Sequence, residues 1–323
     1  MLKFLKDWML PIAIVLGIVS YMILYLVPEL AENVEPGFSA FAKNIQPVLM
    51  AIMLFLQFNK ISPHDLRFRR WHLVALAIQV VLFVLFAWVA VILPDGTGKI
   101  LAECAMLCFV CPTAAAAGVV TNKLGGSLSD TVSYVVLINV TAAFIIPLVI
   151  PLFNSSPDAT FFRSFSAICM KIFPLLVMPL LVAWLIRYTV RPLQRWLMRY
   201  ADWAFYVWGG ALTFAIYLAT RALVTSGISV WGAILIALVS LACTLIQFAV
   251  GRAAGRVLAK NDDELMLDSI TAGQALGQKN SGFLIWLGYS YLTPVTSVAG
   301  GLYSIWQNLI NSMELFEYGH RKK

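Results

Sequence analysis

Ala275-Leu276-Gly277-Gln278-Lys279-Asn280-Ser281-Gly282 decides the reading of this chain, because it sets a lysine inside a stretch that otherwise reads as buried in lipid. Apolar runs flank it at 266–270 and 283–287. A cation at that depth costs about 3 kcal/mol or more unless it faces a polar cavity or a partner. The stretch therefore points to a polar pathway or binding site at membrane depth. The bland alternative is a structural clip, with the ammonium bonded to carbonyls freed by a helix break.

The rest of the chain agrees with a lipid setting. It is 61% hydrophobic and only 12% charged, with a mean hydropathy of +0.84, whereas soluble proteins carry about 25% charged residues. Apolar stretches of near-spanning length recur along the whole sequence, which predicts an all-α polytopic membrane protein. No polar stretch is long enough for a separate soluble domain. Residues 1–7 lack the small-residue cleavage site of a secretory signal, so the first span is expected from residue 8. The five cysteines are odd in number and lie in apolar segments, which argues against a disulfide framework.

Ten spans are predicted, at 8–27, 45–58, 73–93, 100–122, 129–152, 166–187, 203–223, 230–250, 265–289 and 294–313. The second is short and could begin near Ser39. Basic residues then gather in alternate loops: Lys60, Arg67, Arg69 and Arg70; Lys123; Arg187, Arg191, Arg195 and Arg199; Arg252, Arg256 and Lys260. Lys3 and Lys6 at the start, and Arg321, Lys322 and Lys323 at the end, fall on the same side. Scattered charges such as Glu29, Glu32, Glu35, Lys43, Asp95, Lys99, Asp158 and Arg163 lie on the other. Both termini are thus expected in the cytoplasm, and the net charge of +7 reflects this asymmetry rather than a nucleic-acid partner.

Ten spans divide into two sets of five of opposite orientation, 1–161 and 162–323. Gln79 in the third span and Gln247 in the eighth are lone glutamines at corresponding places. The fourth span is interrupted at Cys111-Pro112-Thr113 and the ninth at Gly277-Gln278-Lys279-Asn280. Proline removes a backbone donor and glycine eases departure from the helix. Paired interrupted helices in matching positions of two halves are the sequence pointer to a secondary transporter's binding site.

Several motifs taken in order resemble the bile acid:sodium symporters and their bacterial homologues. Met53-Leu54-Phe55-Leu56-Gln57-Phe58 with Ile61-Ser62-Pro63 and Asp65-Leu66 is similar to the end of that family's second helix. Cys111-Pro112-Thr113 and Gly277 with Asn280-Ser281-Gly282 resemble its two crossover motifs, and Gly301-Leu302-Tyr303-Ser304-Ile305-Trp306-Gln307-Asn308 its tenth helix. The resemblance covers nearly the whole chain. It implies a panel domain from helices one, two, six and seven, and a core domain with two crossed, broken helices. It also implies a bacterial inner-membrane setting.

Where the family places ligands for two sodium ions, this sequence departs. Ala117-Gly118, Thr131 and Val135 stand at the first site, and Ala275 and Lys279 at the second, with Gln79 retained nearby. A fixed positive charge a few ångströms from a sodium ion repels it by several kcal/mol at intermediate dielectric. The expectation is that Lys279 stands in place of the ion, either exchanging a proton with the transport cycle or pairing with an anionic substrate.

Lys279, Asn280, Gln278 and Thr113 are the residues expected to line the crossover, with Gln79 and Thr131 close by and Gln247 and Asn308 as further candidates. Gln79, Gln247, Asn139 and Asn308 also fit interhelical hydrogen bonding, worth about 0.6 kcal/mol on average in membranes. Cys104, Cys108 and Cys111 share one helical stripe, which admits soft-metal or arsenite binding but equally apolar packing. Glu103, Asp130 and the run Asp262-Asp263-Glu264 read as solvated helix ends. His64, His72 and His320 lack metal-ligand spacing, and no P-loop or catalytic constellation appears, so neither an enzyme nor a cofactor is expected. The leading expectation is a secondary transporter of a bile acid-like or small carboxylate anion, proton-coupled, exchanging or uniporting. The alternative is a receptor or scaffold that kept the fold and lost ion coupling.

Overall fold

A computed structural model of the chain describes residues 2–114, 116–153, 160–200 and 203–321. Asp158, Lys322 and Lys323 lie outside the described residues, as do the side chains of Lys3, Lys6 and Arg321. Fifteen α-helices follow one another among the described residues. They are α1 (Leu2–Leu26), α2 (Pro28–Asn33), α3 (Glu35–Phe58), α4 (Arg70–Ile92), α5 (Thr97–Val110), α6 (Ala117–Lys123), α7 (Leu128–Val149), α8 (Phe161–Leu176), α9 (Met178–Thr189), α10 (Arg191–Arg199), α11 (Ala204–Thr225), α12 (Val230–Val257), α13 (Asp262–Gly277), α14 (Ser281–Tyr291) and α15 (Ser297–Arg321).

Six of these helices, α1, α3, α4, α7, α11 and α12, are long and apolar enough to cross a membrane. The bent pair α8 and α9, turned by 42°, adds a seventh crossing if it is one span. Pro174 lies just before that bend and Pro179 just after it, where missing N–H groups favour a kink. The stretches expected as the fourth and ninth spans fold as the divided pairs α5/α6 and α13/α14, and that expected as the tenth as α15; none of these is among the six. The chain is an integral, all-helical membrane protein. The second span begins at Glu35, earlier than either 45 or Ser39, because Pro36 suits a helix's first turn and Glu35 complements its N-terminus.

Capping explains where the helices start. Ser127, Ser229 and Asn261 accept the N–H of Asp130, Gly232 and Glu264 at the heads of α7, α12 and α13. Asp262, Asp263 and Glu264 fill the first turn of α13, as expected of a helix entry. Packing then assembles the bundle. Helices α1 and α3 lie on α11, α4 lies on α5, and α5, α13 and α15 all meet α12. The α12–α13 seam is the tightest, because a Cβ at Gly251 or Gly255 would run into the carbonyl of Ala272 or Asp268. Small residues four apart permit this approach in membranes.

Two carboxylates differ from expectation. Glu103 and Asp130 are only 2% and 1% exposed, not solvated helix ends. A second segment folds across each. Glu103 accepts the Thr293 N–H at 3.2 Å, and Asp130 accepts Arg69 Nε at 3.1 Å while Arg69 Nη1 reaches Glu264 at 2.8 Å. Burial alone would lower the pKa of Arg69, but Asp130, Asp268 and Glu264 outweigh it and hold the guanidinium above its ordinary value.

Candidate functional site

The two helix breaks meet. Helix α5 stops at Val110, two residues before Pro112, which offers no N–H. Helix α13 stops at Gly277, over which the Phe248 ring packs so closely that no Cβ would fit. Beyond the stops, Thr113 and Lys279 pair as an antiparallel bridge. The Asn280 N–H donates to the Pro112 carbonyl at 2.8 Å, and the Ala114 N–H to the Gln278 carbonyl at 3.1 Å. Broken helices leave backbone groups that no lipid can satisfy, and here each break answers the other.

Side chains meet the remaining carbonyls. Thr113 Oγ1 donates to the Ala275 carbonyl at 2.6 Å. Gln79 Nε2 donates to the Cys111 carbonyl at 3.1 Å and accepts, through Oε1, from the Tyr134 hydroxyl at 2.9 Å. Gln247 Nε2 donates to the Cys108 carbonyl at 3.2 Å and to the Tyr303 hydroxyl at 3.0 Å, and that hydroxyl donates to the Gly277 carbonyl at 2.7 Å. The two lone glutamines thus both brace the end of α5. Asn280 caps α14, its Oδ1 accepting the Phe283 N–H at 3.2 Å.

Lys279 is fully buried. Gln307 clamps its backbone, accepting the N–H at 2.7 Å and donating to the carbonyl at 3.2 Å. Its Nζ, by contrast, has no hydrogen-bond partner among the described residues. The ammonium is therefore no structural clip in this arrangement: it meets no carbonyl among the described residues, and Gln79, Gln247, Tyr303 and Thr113 take those of Cys111, Cys108, Gly277 and Ala275. An unpaired buried ammonium is strongly destabilising, so the position suits a neutral amine or a charge whose counterpart comes from elsewhere.

Of the other candidates, the Gln278 amide bonds to Gln274, which donates to Glu314 at 2.8 Å, and Glu314 pairs with Arg252. This buried polar line runs from the crossing to a half-exposed arginine. Thr131 and Asn308 are not drawn in. Their side chains bond back to Ser127 and Ser304 on the same stretch of chain, at 2.9 and 2.6 Å. The residue beside Asn308, Gln307, makes the contact instead, and it, Tyr303 and Tyr134 were not singled out from sequence. A stripe of polar residues on α15, Ser304, Gln307, Asn311 and Glu314, was the available signal. Cys104, Cys108 and Cys111 are buried, but among the described residues no three Cys, His, Asp or Glu side chains converge as a metal site requires.

A family model described as the SBF-like CPA transporter family matches residues 8–271. The match takes in the first break and ends eight residues short of Lys279. None of the curated proteins matches the chain.

Proposed function

The chain belongs to the SBF-like CPA transporter family, and from that premise we propose that it is a secondary active transporter of an organic anion, working by alternating access. The observation that carries this reading is the fully buried, unpartnered amine of Lys279 at the meeting point of two helix breaks. Lys279 supplies the positive charge that a bound sodium would otherwise bring, and it cycles a proton or pairs with the substrate's anionic group. Lys279, Gln278, Asn280 and Thr113 form the site, with Gln79 and Gln247 bracing it.

The architecture we propose has ten spans, counting α5/α6, α8/α9 and α13/α14 as one each, in two inverted halves, 1–161 and 162–323. The packing of α1 and α3 with α11, and of α9 with α3, supports a panel. The mutual packing of α4, α5, α12, α13 and α15 supports a core. The alternation of basic loops supports cytoplasmic termini, and the membrane we propose is a bacterial inner membrane.

Proteoliposomes test this directly. Uptake of small organic carboxylates and bile acid-like anions is measured with sodium replaced by choline, with and without a pH gradient. Transport that needs no sodium and responds to pH is the expected result. Strict sodium dependence with indifference to pH would sink the role given to Lys279.

A further inference from the structure

The seam between α3 and α14 carries polar groups that the crossing does not use. On α3, Glu35, Ser39, Lys43 and Gln46 recur every three or four residues, a single helical stripe in an otherwise apolar span. At one end of the seam, Glu35 Oε1 accepts from Arg221 Nε at 2.6 Å, from Ser39 Oγ at 2.5 Å and from the Tyr217 hydroxyl at 3.5 Å. Arg221 Nη1 then donates to the Tyr289 hydroxyl at 2.7 Å, and Lys43 Nζ stands 5.8 Å from the centre of the Tyr289 ring. Three helices, α3, α11 and α14, are thereby tied at one point. The tie lies at the first turn of α3, the end opposite Asn59, Lys60 and the arginine-rich loops.

At the other end of the seam sits Gln46. It is fully buried, and neither its Nε2 nor its Oε1 has a partner among the described residues. It faces the start of α14: a Cβ on Gly282 would lie 3.2 Å from Gln46 Nε2 and 3.6 Å from the capping Asn280 Oδ1. An orphaned amide costs more than an apolar side chain of the same shape. No described residue satisfies it, although Gly282 beside it is partly exposed. A buried polar group left unmet calls for an explanation, and wetting of this surface in another state supplies one.

We infer that Glu35, Arg221 and Tyr289 form a latch closing one mouth of the α3–α14 seam, and that Gln46 lines the aqueous path which the latch covers. The inference rests on the transport reading for its purpose, but its geometry is tested without transport. When the latch opens, α14 parts from α3, and Gln46 and the α14 N-terminus face water together. The ligand group Gln46 takes is one that both donates and accepts a hydrogen bond, as distinct from the anionic group assigned to Lys279.

The test uses a Gln46→Cys reporter in the full chain carrying Cys169→Ser, since the other four native cysteines are buried. A membrane-impermeant trimethylammonium methanethiosulfonate reagent is applied to each side of uniformly oriented proteoliposomes in turn. Adding Glu35→Gln, Arg221→Gln or Tyr289→Phe should raise the labelling rate from the latch side about tenfold or more, the consequence of losing a charge-assisted hydrogen bond. A cysteine at Gly37, which no neighbour crowds, should label equally in every background. Tyr289→Phe removes a single hydroxyl and keeps the test valid if the charge variants misfold. An unchanged rate at residue 46, or a rise only from the arginine-loop side, would overturn the latch. Absence of flux with intact latch behaviour would instead count against the transport reading alone.

Discussion

Gln307 holds the main chain of Lys279 at both its N–H and its carbonyl, at 2.7 and 3.2 Å, while the amine of the same residue has no hydrogen-bond partner among the described residues. Position and charge are therefore supplied by different residues. The backbone is fixed as a structural element is fixed, and the side chain carries no hydrogen bond among the described residues.

That division predicts opposite outcomes at the two residues. Gln307→Leu strands the buried N–H of Lys279, while the carbonyl keeps the Ser281 N–H at 2.9 Å, and should destabilise the protein by about 1–3 kcal/mol, seen as a lower melting temperature in detergent. Lys279→Met keeps the volume and removes an unpaired buried amine. It should leave the melting temperature unchanged or higher.

The same Lys279→Met variant should lose flux, or keep a flux whose pH profile is flat where the natural protein's is not. A gain in stability bought with a loss of function is the signature of a residue retained for its chemistry. Natural pH dependence surviving in Lys279→Met would remove lysine from the coupling step.

Arg69 is the partly exposed counter-charge of the buried Asp130. Arg69→Gln should cost about 3–5 kcal/mol by leaving that carboxylate buried beside no cation, measured by chemical denaturation or by yield of monodisperse protein. Because its pKa is raised by folding, Arg69's own contribution is complete at every pH below arginine's ordinary range and fades only in strong alkali. A melting temperature that Arg69→Gln leaves unmoved would show the pair to be ornamental.

At the α12–α13 seam, Gly255→Leu drives a side chain into the Asp268 carbonyl. Backbone cannot yield as a side-chain tip does, so a loss of at least about 3 kcal/mol is expected, with poor membrane insertion yield. Thr131→Val and Asn308→Leu, whose hydroxyl and amide serve only their own helices, should each cost less than about 1 kcal/mol. They should also leave flux near its natural level.

Both breaks were legible because proline, glycine and a lysine are conspicuous among apolar residues: local chemistry announces where a helix cannot continue. Lys279 and Thr113 could be named, but not that they pair, since nothing local in either segment specifies the other. Gln307 was overlooked beside Asn308 for a related reason. Adjacent helical positions point about 100° apart, and only the packing of α15 against the crossing selects one of them. Glu103 and Asp130 read as solvated because both lie near the end of a span, whereas the turn before α15 and the Arg69 segment cover them. The orphaned amide of Gln46 had no signature at all, because a single glutamine in an apolar helix reads the same whether satisfied or not.

The bridge between Thr113 and Lys279 has a mechanical consequence. Two interrupted spans, left separate, would each be a hinge, free to bend at its own break. Joined by the Asn280–Pro112 and Ala114–Gln278 hydrogen bonds, they become a spliced cross-brace. Load on either half-helix passes through the splice to all four, so neither break bends alone, and on the transport reading proposed above the crossing moves as one piece with its lysine.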